Sequence, residues 1–163
     1  MFPMRVQRAL AEHGVAPHWL TLEITEHMLV TDATMSIRAM TELRRLGCRI
    51  AIDDFGTGYS SLAYLKRLPV DELKIDRAFV AMLGTDPQDE VIVRATIDLG
   101  HSFGLKVTAE GVEDALSWRM LTAMGADTVQ GYHFAKPLTS DELLHWITTR
   151  TDDVPRPPRL QVV

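Results

Sequence analysis

Ionisable and amide side chains recur in this sequence at the ends of short aliphatic runs. Glu23 stands in the run at 20–24, Asp53 and Asp54 follow 49–52, Lys74 and Asp76 close 71–76, Glu110 ends 106–110, and Gln130 ends 127–130. Carboxylates gathered in one place repel, and raise one another's pKa, unless something positive sits among them. Hard oxygen donors without histidine or cysteine suit Mg²⁺ or Mn²⁺ better than zinc or copper. Two such ions close together activate a water and stabilise the leaving oxygen of a phosphodiester. Lys74 is the one cation in the set, and strand alternation puts it on the same face as Asp76. It reads either as a structural salt-bridge partner or as the group that holds, orients or deprotonates a water.

Such a set needs elements that bring distant residues to one rim. Helical and extended patterns alternate almost throughout, which predicts an α/β fold. A helix is expected at 4–13, closed by Gly14. A second spans 32–46, where Ala33, Ile37, Met40, Leu43 and Leu46 recur at helical spacing between an Asp32 cap and a Gly47 stop. A short helix falls near 61–68, a longer one at 88–103 burying Ile92, Ala95, Leu99 and Phe103, and two more at 114–124 and 140–149. Five strands each followed by a helix or helical turn form either an open doubly wound sheet or a section of a (β/α)8 barrel. In both, the carboxyl ends of the strands line one rim. No Gly-x-Gly-x-x-Gly follows the first strand, so a dinucleotide fold has no support.

The turn at 53–61, Asp-Asp-Phe-Gly-Thr-Gly-Tyr-Ser-Ser, has glycines that permit positive φ and serines that offer a helix start. It lacks the lysine of a phosphate-binding P-loop. It reads as an ordinary strand-to-helix connection or as a loop that orders on substrate or metal. The six histidines show no paired ligand spacing and none is assigned. Cys48 is a small packing residue, unable to form an internal disulfide.

With 163 residues and 46% hydrophobic content the chain has the makeup of one globular domain at 1–150. The proline-containing tail at 151–163 is expected to be flexible. A net charge of −5 argues against a general DNA binder. No apolar run is long enough for membrane insertion, and a cytoplasmic location is the default.

Taken together, the motifs resemble those of EAL domains, the barrel enzymes that hydrolyse cyclic di-GMP. Glu23-Ile24-Thr25-Glu26 is similar to the family's E-L/I-T-E, 53–61 to D-D-F-G-T-G-Y-S-S, and Leu73-Lys74-Ile75-Asp76 to L-K-I-D. Glu110-Gly111-Val112-Glu113 matches E-G-V-E, and 130–137 matches Q-G-Y-x-F-A-K-P, in order and spacing from about 6 to about 147. The resemblance implies a (β/α)8 barrel that uses two Mg²⁺ or Mn²⁺ ions to open cyclic di-GMP to linear pGpG. By motif, Glu23, Asp53, Asp54 and Glu110 would be metal ligands, and Lys74 would position or deprotonate the attacking water. Glu26 would hold the 53–61 loop. Gln130, Glu113 and Asp76 would serve on the substrate side, with Gln130 supporting the water at the metals.

The family's namesake Glu-Ala-Leu segment and its ligand asparagine do not occur here. The resemblance therefore implies barrel strands four to eight, an incomplete metal site, and a chain weakly active or inactive alone. An incomplete barrel is expected to expose two strand edges and part of an apolar interior, which favours association. The resemblance implies a homodimer through 54–83, the alternative being association through the exposed barrel edges. The competing expectation is a non-catalytic module that binds cyclic di-GMP or a partner protein.

Overall fold

The computed structural model describes residues 2–26, 33–56 and 62–149. Asp32, residues 57–61 of the glycine-containing turn and the expected tail at 151–163 lie outside the described residues. The elements are α1 (Phe2–Glu12), a 3₁₀ turn (Pro17–Trp19), β1 (Thr21–Thr25), α2 (Ala33–Leu46), β2 (Arg49–Phe55), α3 (Leu62–Leu65) and β3 (Glu72–Ile75). After these come α4 (Arg77–Val80), α5 (Pro87–Ser102), β4 (Lys106–Glu110), α6 (Ala115–Met124), β5 (Thr128–Gln130) and α7 (Ser140–Thr149).

All five strands are parallel and lie in the order β1-β2-β3-β4-β5. A doubly wound sheet reverses its winding at a switch point, whereas every crossover here steps the same way. Right-handed crossovers that never reverse leave their helices on one side of the sheet, which is how a barrel wall is wound. Pattern leaves two arrangements open; topology selects the barrel section.

Strand register sorts the side chains into two unlike faces. Leu22, Ile24, Ile50, Ile52, Leu73, Ile75, Val107, Ala109 and Val129 share the face that packs on the helices. There they meet Met40 and Leu43 of α2, Val93 and Ile97 of α5, and Leu121 and Met124 of α6. Burying side chains as completely as Ile50, Leu73 and Ile75 contributes about 1.5–3 kcal/mol each. The other face carries Thr21, Glu23, Thr25, Arg49, Ala51, Asp53, Glu72, Lys74, Lys106, Thr108, Glu110, Thr128 and Gln130. Among the described strand residues, Ala51 is its only apolar member. The expected apolar interior is thus corrected: what the sheet presents away from its helices is polar, and Thr108 donates to Glu72 across it at 2.5 Å.

The expected buried face of the 88–103 helix is corrected too. In α5 the buried residues are Val93, Thr96, Ile97 and Gly100, while Ile92 and Ala95 face solvent and Leu99 and Phe103 are half-buried. Gly100 explains the rotation. A Cβ there would stand 2.4 Å from Cγ2 of Val107, so the helix lies against β4 through its smallest residue. Its start is set by Asp86, whose carboxylate accepts the Gln88 amide ahead of Pro87 in the first turn.

Two aspartates close the amino end of the sheet in the same manner. Asp71 donates its N–H to the Ile50 carbonyl at 2.8 Å, and its Oδ2 accepts the Ile50 N–H at 3.0 Å. Its Oδ1 takes Arg44, near the end of α2, at 2.7 Å. Asp127 donates to the Val107 carbonyl at 2.9 Å, its Oδ2 accepts the Val107 N–H at 2.8 Å, and the same oxygen lies 2.9 Å from Nε2 of His101 near the end of α5. Each clasp ties a helix and two neighbouring strands, leaving the carboxyl ends of the strands as the irregular end.

Candidate active site

Two consecutive carboxylates reach the carboxyl rim because β2 is bulged. Ile52 stands opposite Leu73 and Phe55 opposite Ile75, three steps on one strand against two on its neighbour. Asp54 absorbs the extra residue at φ 55°, a left-handed conformation that aspartate tolerates better than most residues. In a regular strand Asp53 and Asp54 would face opposite ways. Here Oδ1 of Asp53 lies 3.3 Å from Lys74 Nζ, and the Asp54 carboxyl hydrogen-bonds that of Asp76.

Lys74 stands at the centre. Its Nζ lies 2.6 Å from Oε1 of Glu23 and 2.6 Å from Oε1 of Glu110, so one ammonium bridges β1, β2 and β4 from β3. Its side chain is only 7% exposed, whereas that of Glu23 is 49% exposed. Burial works against the ammonium most strongly. Hydrogen bonds to Glu110 and Glu23 and the fields of Glu110 and Asp53 outweigh it, and the lysine is held well above its usual pKa. Lys74 is therefore a cation at every ordinary pH. The Asp54 carboxyl is pushed up, first by its hydrogen bond with Asp76, then by burial and by the charges of Asp53, Asp76 and Glu110.

The remaining sequence candidates surround this group. Glu26, buried just past β1, accepts the Gly56 amide on Oε2 at 3.2 Å, which ties the start of the turn to β1. Asp76 stands one residue beyond β3 and accepts the Ala78 amide at 2.7 Å as the cap of α4. Gln130 is opposite Glu110 in register and exposed, and Glu113 is exposed in the loop after β4.

That loop and the one after β5 are laced together. Val112 donates to the Gln130 carbonyl at 3.1 Å, and His133 donates to the Val112 carbonyl at 2.9 Å. Gly131 passes so close that a Cβ on it would lie 2.1 Å from the Val112 carbonyl oxygen. A Cβ on Gly111, at φ 75°, would lie 2.4 Å from Cβ of Arg77. The glycines of both motifs are thus explained by backbone approach. Sequence reasoning did not find the clasping roles of Asp71 and Asp127; their signal is an aspartate just before a strand.

Among the described residues no three histidine, cysteine or carboxylate side chains converge on a metal-sized point, because Lys74 Nζ fills the space between Glu23, Asp53 and Glu110. The donor set nevertheless fits a hard divalent ion. Asp53 Oδ1 is buried without a hydrogen bond, the crowded Asp54 carboxyl favours its proton, and all the candidate ligand atoms are carboxylate oxygens.

Residues 1–137 match the family model described as the EAL domain. The chain belongs to the EAL domain family. This EAL chain is 45% identical over 139 residues to the bifunctional diguanylate cyclase/cyclic di-GMP phosphodiesterase MucR of Pseudomonas aeruginosa, covering 85% of this chain and 20% of MucR. A solved MucR phosphodiesterase in complex with cyclic di-GMP superposes with a TM-score of 0.82, covering 85% of this chain and 56% of that one. The EAL domain of Mycobacterium smegmatis DcpA gives 0.85 at 44% identity, covering 90% and 66%. Klebsiella pneumoniae BlrP1, in a manganese and cyclic di-GMP complex, gives 0.76 at 32% identity, covering 81% and 34%. This EAL chain thus spans about a fifth of the length of its curated relatives, 20% for MucR. Its neighbours are barrels of the kind the sheet order implies. Among the described residues no helix is long and apolar enough to cross a membrane.

Proposed function

We propose that the chain is part of a metal-dependent cyclic di-GMP phosphodiesterase that opens the ring to linear pGpG by adding one water across one phosphodiester. The observation that carries this reading is the meeting of Glu23, Asp53 and Glu110, from three strands, on Lys74 at the carboxyl rim. Isolated structural salt bridges do not need four strands to deliver charge to one point. Likeness to MucR over 85% of this chain supports cyclic di-GMP as the substrate of the cluster.

Glu23, Asp53, Asp54 and Glu110 would hold Mg²⁺ or Mn²⁺. Such ions, when bound, polarise the phosphoryl oxygens and make water a better nucleophile at neutral pH. Lys74, held between Glu23 and Glu110, would position or deprotonate the attacking water. Glu26 fixes the turn after β2 through Gly56. Gln130 supports the attacking water from β5, and Glu113 and Asp76 lie on the substrate side. The same reading carries a cytoplasmic enzyme and a homodimer through residues 54–83, where Leu62 and Met82 are exposed.

Hydrolysis of cyclic di-GMP with Mg²⁺ or Mn²⁺, followed by chromatography of the products, tests the assignment. Glu110→Ala is expected to abolish pGpG formation. Turnover that survives this substitution would sink the metal reading, and binding without turnover in the parent protein would replace it with a receptor role.

A further inference from the structure

The ammonium of Lys74 and a divalent ion would need the same oxygens. Nζ is within 2.6 Å of Glu23 and Glu110 and 3.3 Å of Asp53, and the lysine side chain is almost entirely shielded. We propose that Lys74 is the built-in counter-ion of the metal-free site: it holds the carboxylates together until metal arrives, and must withdraw from them for metal to bind. The proposal rests on the reading of Glu23, Asp53 and Glu110 as metal ligands and adds a competition that reading does not contain.

Three features support it. Carboxylates from β1, β2 and β4 have no reason to approach one another unless a charge of opposite sign lies between them, and Lys74 supplies it from β3. The contacts are unequal. Asp53 Oδ1 is 3.3 Å away and makes no hydrogen bond, so the lysine leaves an oxygen unsatisfied that a metal could take. Glu23, finally, is half exposed, so an ion entering from solvent meets a carboxylate that water already reaches and that can exchange the ammonium for the ion in steps.

Competition makes an unusual prediction: removing a charge from the centre of the site improves metal binding. Coulomb's law for a unit charge a few ångströms from a divalent ion gives a gain on the order of tenfold, even at water-like screening. The test is calorimetric titration of Mn²⁺ into the wild-type protein, Lys74→Met, Lys74→Gln and Lys74→Arg, with melting temperatures taken with and without Mn²⁺. Two neutral variants are used because Lys74→Gln keeps a donor for the carboxylates and Lys74→Met does not, so that the measurement survives if Lys74→Met fails to fold.

The expected result is that the neutral variants melt below wild type without metal, bind Mn²⁺ about tenfold more tightly, and gain more from it in melting temperature. Lys74→Arg keeps the charge and binds no more tightly than wild type. If wild type binds Mn²⁺ and the neutral variants bind it equally or more weakly, the competition is wrong and the metal reading stands. If none of the four proteins takes up Mn²⁺, the metal reading itself fails and the proposal with it.

Discussion

Glu26, just beyond β1, accepts a hydrogen bond from the amide of Gly56 at the end of β2, 3.2 Å away, while its own side chain is buried. Gly56 is itself exposed and its amide can turn to water, so losing this hydrogen bond costs about 0.5–1.5 kcal/mol. Glu26→Ala is expected to lose that much in denaturant unfolding and to speed hydrogen exchange at Gly56. Glu26→Gln, which keeps an acceptor oxygen, should lose less. Equal losses in both would mean that Glu26 acts through its charge alone.

Gly131 leaves no room for a side chain, since its Cβ would lie 2.1 Å from the Val112 carbonyl. Gly131→Ala must push the two rim loops apart and weaken the His133 to Val112 hydrogen bond. A loss of about 1–3 kcal/mol is expected, as for other overpacked sites. Thermal unfolding reads it, and an unchanged melting temperature contradicts it.

The two clasps at the amino end separate backbone from surface charge. Asp127→Ala removes the acceptor of the Val107 amide and should cost about 1–3 kcal/mol. His101→Ala removes only a partner that is 40% exposed and should cost about 0–1 kcal/mol. Chemical denaturation of the two variants side by side should place Asp127→Ala well below His101→Ala.

Asp114 caps α6 by accepting the amides of Leu116 and Ser117, with Ser117 Oγ donating to its second oxygen. The Ser117 bonds lead in holding its carboxyl below the usual aspartate value of 3.8. A carboxyl depressed in the folded state stabilises fully above its unfolded pKa, and that stabilisation fades as pH falls through the folded one. Asp114→Asn should therefore lower the melting temperature at neutral pH and flatten its fall below about pH 4. Parallel acid limbs for the two proteins would contradict this.

How much of this was legible in the sequence depends on which atoms carry the message. Alternation of apolar runs announced all five strands, and the polar ends of those runs named Glu23, Asp53, Lys74 and Glu110, because side-chain period and strand direction alone decide where they project. Periodicity misplaced the buried face of α5, since Gly100 draws the helix onto Val107 by lacking a side chain, and absence leaves no hydrophobic mark. The bulge was hidden for a similar reason. Nothing in Ile52-Asp53-Asp54-Phe55 reports a slipped register until β3 lies beside it. Short α4 also escaped, being one turn started by the Asp76 cap.

The sheet face that carries the site is polar along its full height, from Arg49 and Lys106 through Glu72 and Thr108 to Glu110 and Gln130. A strand that completes this wall beside β1 or β5 gains few greasy contacts on that side. Its recognition rests on backbone pairing and matched charge, which ionic strength weakens and apolar collapse cannot imitate. On this face, contact with a neighbouring strand is therefore expected to weaken as salt rises.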